Sequence, residues 1–359
     1  ILEDVNINSP FAGGVVGYLN ESSVRNVTAT DDLVVENSLQ LNLAANDYAG
    51  IKVATEKMLE TWPSDYKVFL GGIAGMAVKD SIYNVNVRAK ITDKSGAIAP
   101  SALGGVAGVF SMQGWPYGAF NDTLSFKRAA GDKGASYTTI SGGRAMGGFY
   151  GEVAFNSANN ASARDLVITA SRVDSVLIQS GKSDEVYAGG FVGKVVAKFG
   201  SKFSFVNSYA NAEIRDVVES STATAYYAGG FVGATNECAD TEVPDDDAFF
   251  AVTGSKALGK ISVGAQTGAS PDVYLGGFAG FACFTATPDA FVRNSSSVKL
   301  ESTVGASGSK VFVGGVAGKA DVFRKVDLAF KNSTFDGEIV ASAGGSDLYV
   351  GGAVGQFVG

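Results

Sequence analysis

The motif GGxxG occurs nine times in this chain: FAGGVVG, FLGGIAG, ALGGVAG, AMGGFYG, YAGGFVG, YAGGFVG, YLGGFAG, FVGGVAG and YVGGAVG. The glycine pairs are Gly13 and Gly14, Gly71 and Gly72, Gly104 and Gly105, Gly147 and Gly148, Gly189 and Gly190, Gly229 and Gly230, Gly276 and Gly277, Gly314 and Gly315, and Gly351 and Gly352. Successive copies are 58, 33, 43, 42, 40, 47, 38 and 37 residues apart. An aromatic residue stands two positions before the pair in seven copies: Phe11, Phe69, Tyr187, Tyr227, Tyr274, Phe312 and Tyr349. Self-similarity at this spacing marks a repeat architecture. A unit of about 40 residues cannot bury its own apolar face, so the units must stack.

A second block follows the glycines, seen as RNVTATDDL, YNVNVRAKI, FNDTLSF, VNSYANAEI, RNSSSVKL and KNSTFDGEI. Its Asn residues are Asn26, Asn84, Asn121, Asn207, Asn294 and Asn332, with Asp165 at the corresponding count in the fourth copy. An Ile or Leu commonly closes it, as at Ile91, Ile214, Ile261, Leu300 and Ile339. Both blocks are rich in β-branched and aromatic residues and are bounded by Gly, Ser and Asp turns, so both read as strands. Stacked in register, glycine would lie under glycine at ~4.8 Å and permit backbone approach that a side chain blocks. The Asn residues would form an internal amide ladder, each bonding the next. The expected fold is all-β: a parallel β-solenoid of about nine GGxxG repeats. It forms one elongated domain over residues 1–359, with side insertions at about 31–68 and 239–250.

GGFVG followed by NSYANAEI resembles the GLUG repeat family, with copies five to eight the best match. The resemblance implies a β-solenoid of the kind found in large secreted or surface proteins of adhesin type. It brings no catalytic residues.

Composition narrows the function. There are 47 glycines but no Gly-X-Y period, which excludes collagen. Net charge is −8 with no Lys/Arg block, so nucleic acid is not an expected partner. No apolar run approaches the ~18 residues of a membrane helix, so membrane insertion is not expected. The chain contains no His, which removes the usual general base and the commonest zinc ligand. GxSxG and the P-loop motif are also absent. The chain therefore reads as a non-enzyme with no metal site. A polysaccharide-active enzyme working through paired carboxylates is the weakest alternative.

Cys238 and Cys283 follow the glycine motifs of adjacent repeats and are expected to form a disulfide, which suits an oxidising, extracellular setting. The acidic loop at 240–247 reads as solvated; Ca²⁺ is the one cofactor its carboxylates suit. Lys52–Trp62 has the spacing of an amphipathic helix lying on the side of the rod. Six N-x-S/T sequons occur, at Asn20, Asn26, Asn121, Asn160, Asn294 and Asn332. Four coincide with the ladder position, where interior ladder and surface glycan are both open readings. Asn20 and Asn160 lie off it and are the better glycosylation candidates.

The chain opens within a partial repeat and stops inside its ninth motif. Either it belongs to a longer array, or its last strand completes the first rung of another molecule by strand addition. The expected function is that of an extracellular, cell-surface structural protein, self-associating end to end into a filament, appendage or sheath. The alternative is an adhesin or carbohydrate-binding module using Trp115, Tyr117 and acidic loops.

Overall fold

The computed structural model describes residues 6–9, 11–20, 22–38, 68–78, 81–83, 85–95, 101–111, 118–120, 138–154, 165–179, 181, 183–196, 202–218, 223–235, 249–265, 269–284, 291–304, 308–322, 330–342 and 347–358. Every element among them is a β-strand, and every strand pairing is parallel between neighbouring repeats. The fold is a parallel β-solenoid, and one repeat makes one coil.

The fifth coil shows the plan. Glu185–Gly189 forms an aromatic face and Val192–Val196 a valine face on the other side of the glycine pair. Lys202–Val206 forms a short face, and Tyr209–Val218 a long face. Stacking the coils gives two nine-stranded sheets, from the aromatic and valine faces, and a ten-stranded sheet from the long face. The short face is six-stranded from Gly118–Phe120 onward. In the first two coils it is the separate pair Ser23–Arg25 and Ser81–Tyr83. Nine strands at ~4.8 Å make a ladder about 38 Å high.

Alternation explains the long face. In Ser295–Ser302 every second residue is buried, so Ser296, Val298, Leu300 and Ser302 point inward while Ser297, Lys299 and Glu301 point outward. The residue that closes the second block falls into one column. Val35, Ile91, Ile140, Ile178, Ile214, Ile261, Leu300 and Ile339 are register partners in turn, and all but Ile339 are fully buried. Each such side chain contributes roughly 1.5–3 kcal/mol of burial free energy.

The aromatic face is buried on both sides, as is usual for parallel strands. Val186 and Ala188 enter the main core, whereas Tyr187 joins a second apolar cluster with Phe69, Met76, Val109 and Phe281.

Residues 31–37, expected to open an insertion, lie instead in a strand. Thr28–Asn37 is a long-face strand, because Leu33 and Val35 supply inward apolar positions. Phe249 and Phe250 likewise open the short-face strand Phe249–Thr253 rather than closing an insertion. The helix-like stretch 52–62, the acidic loop 240–247, Trp115 and Tyr117 lie outside the described residues.

Candidate functional site: the stacked ladders

The glycine pairs bring neighbouring coils together. Gly13, Gly71, Gly104, Gly147, Gly189, Gly229, Gly276, Gly314 and Gly351 are successive register partners. The second glycine donates its N–H to the coil above; Gly190 N–H to the Gly229 carbonyl measures 3.1 Å. A Cβ on Gly190 would lie closer than 3.0 Å to the Gly230 carbonyl oxygen. The third glycine of the motif is equally constrained. A Cβ on Gly193 would sit 2.5 Å from the Met146 nitrogen on the aromatic face of the preceding coil. These contacts involve backbone on both sides, so no rotamer change relieves them.

The aromatic that precedes the pair builds a column of rings. Tyr187, Tyr227, Tyr274, Phe312 and Tyr349 stack with centroids 5.0, 4.7, 4.9 and 4.8 Å apart and planes within 12°. Phe11 and Phe69 form a separate pair at 4.7 Å, and Ala102 and Ala145 occupy the two rungs between. A second column lies in the core, where Phe149, Phe191, Phe231 and Phe278 follow one another at 4.7, 4.9 and 5.1 Å.

Tyr187 begins the long column inside a charged cluster. Its hydroxyl donates to Glu185 at 2.8 Å, Arg144 pairs with Glu185 at 2.7 Å, and the Lys194 ammonium lies 4.4 Å from the ring centroid. Burial, reinforced by the Glu185 charge, drives the Tyr187 hydroxyl far above the usual phenol range. Burial also pushes the Glu185 carboxyl up, but its hydrogen bonds to Tyr187 and Arg144 outweigh this and hold it below its ordinary value.

The Asn block is arranged differently from the expected amide ladder. Between the short and long faces the chain turns through one residue in the left-handed region. That residue is Asn26, Ala170, Asn207, Gly254, Arg293 and Asn332 in six coils, with φ between 49° and 60°. All six are exposed. Asn26, Asn207 and Asn332 therefore stand on an outer corner, where Asn and Gly relieve the strain of positive φ. Asn84 and Asn121 lie outside the described residues.

The internal polar ladder is formed by the next residue along. Ser171 N–H donates to Ser208 Oγ at 3.4 Å, and Ser208 N–H to Ser255 Oγ at 3.0 Å. Ser255 N–H donates to Asn294 Oδ1 at 2.9 Å, and Asn294 N–H to Ser333 Oγ at 3.2 Å. The Asn294 Nδ2 group closes the set by donating to the Val252 carbonyl at 2.6 Å. Asn294 is thus a ladder residue that takes the place serine holds elsewhere, and Arg293 is its corner. The recurring Ser after Asn in VNSYAN and KNSTFD was the available signal in the sequence.

On the outer surface of the long face, Glu301 bridges Lys260 at 2.6 Å and Lys299 at 3.0 Å, and Lys299 reaches Glu338 at 3.0 Å. The two lysines hold the Glu301 carboxyl down to about 2. Cys283 is disulfide-bonded, and Cys238, the other cysteine of the sequence, lies outside the described residues. Asn20 ends a valine-face strand as the partner of Val78, and Asn160 lies outside the described residues. Among the described residues no group of three or more His, Cys, Asp or Glu could hold a metal ion.

No protein-family model, curated protein or solved structure matches the chain.

Proposed function

We propose that this protein is a non-enzymatic extracellular structural protein of the GLUG repeat type, a β-solenoid subunit of a cell-surface filament, appendage or sheath that assembles end to end. The observation that carries the proposal is the uniformity of the coil-to-coil contact. Glycine on glycine, ring on ring, and backbone N–H to Ser or Asn oxygen recur from coil to coil. The backbone and repeated side chains at either end of the stack offer the same kind of surface that joins the coils within it, so axial growth can use contacts the fold already makes. Val15 and Tyr18 at one end, and Val340, Leu348, Val350, Phe357 and Val358 at the other, are exposed large apolar residues. A further coil laid on either end covers them, whichever chain supplies it.

The described ring column gives no support to carbohydrate binding. A sugar stacks on an open ring face, and these ring faces cover one another. Negative-stain electron microscopy and sedimentation velocity on the purified chain at neutral pH test the proposal. Fibres that lengthen with protein concentration are expected; a monomer at every concentration would sink end-to-end assembly.

A further inference from the structure

The outer corner between the short and long faces has the geometry of a modification site. We propose that Asn26 and Asn332 are acceptors for N-linked oligosaccharide on one edge of the rod, and that Asn294, a sequon by sequence, stays unmodified.

Three observations support this. Asn26 and Asn332 occupy the exposed left-handed corner, and the Thr of each sequon, Thr28 or Thr334, is exposed at the start of the long face. The same corner holds residues as different as Gly254, Ala170, Asn207 and Arg293 in other coils, all exposed, although a Cβ on Gly254 would meet the Asn207 side chain of the neighbouring coil. Asn294 lies one position further on and is 2% exposed. Both ends of its amide are engaged across coils, and Ser296, the hydroxyl residue of its sequon, is fully buried. A glycan on Nδ2 there would displace the bond to Val252 and part the coils.

The donor class is an oligosaccharide linked through its anomeric carbon to a lipid diphosphate. The asparagine nitrogen bonds that carbon as its bond to the diphosphate oxygen breaks. The lipid diphosphate leaves with the electron pair, and a base of the transferase takes the amide proton. Asn26 and Asn332 stand seven coil intervals apart, about 34 Å, on the same edge.

The inference rests on the extracellular reading above. The full chain secreted from a eukaryotic host, mapped by mass spectrometry before and after amidase deglycosylation, tests it. Carbohydrate is expected on Asn26 and Asn332 and not on Asn294. Asn26→Gln and Asn332→Gln should each remove one glycan. Tyr209→Thr, which converts the corner Asn207-Ser208-Tyr209 into a sequon, should add one. Carbohydrate on Asn294 in folded protein overturns the assignment. So do empty Asn26 and Asn332 on molecules glycosylated at Asn20 or Asn160, or a chain without carbohydrate at any sequon. Occupied corners on a chain that never forms fibres would leave this inference standing and sink the filament proposal.

Discussion

Replacing Asn294 with Ala should damage the protein far more than replacing Asn207 with Ala, although the two stand at the same distance from their glycine motifs. Asn294→Ala removes the acceptor of the Ser255 N–H and the donor to the Val252 carbonyl. Each buried group left without a partner costs about 1–3 kcal/mol. Allowing for partial relaxation, the substitution should cost roughly 2–4 kcal/mol. Asn207→Ala loses no interior bond and pays only for positive φ, about 1 kcal/mol; Ala170 already occupies that corner in the preceding coil. Asn294→Ser should recover much of the loss, since serine fills the place at Ser208, Ser255 and Ser333. Chemical unfolding reads the global effect. Native-state hydrogen exchange reads the local one, because a loss of 2 kcal/mol at the Ser255 amide speeds its exchange about 30-fold. Unchanged protection at Ser255 in Asn294→Ala, or a larger loss from Asn207→Ala, would refute the assignment of the ladder to the residue after the corner.

Two further outcomes follow from the same contacts. Gly230→Ala forces a Cβ into the carbonyl of Gly277 and should cost roughly 3 kcal/mol, whereas Gly352→Ala, with no atom of its own chain within 4 Å of its Cβ, should leave the unfolding midpoint of the monomer unchanged. The Glu301 carboxyl titrates near 2 in the folded chain against 4.5 unperturbed, so its stabilisation is present above about pH 4.5 and is lost as pH falls toward 2. The pairs are solvent-screened, so the loss should be small and should shrink in 1 M salt; acid titrations of wild type and Glu301→Gln by circular dichroism compare the two.

The parallel solenoid was legible because its requirement is repeated. Each coil must bring backbone against backbone, only glycine allows that, and so the demand reappears nine times in one linear pattern. The closing Ile column was legible for a similar reason, since a buried position tolerates few residue types and Ile91, Ile214, Ile261 and Leu300 recur on schedule. The polar ladder was not. Asn207, Asn294 and Asn332 all stand fourteen residues after the third glycine of their motifs, yet Asn294 is paired one register position later than the other two. Counting along the chain carries across loops of unequal length; hydrogen-bonded register does not. A shift of one residue at a corner exchanges inside for outside. The repeat and its apolar columns were therefore determined by the sequence itself. Which of two adjacent polar residues faces the interior was decided only when neighbouring coils locked into register.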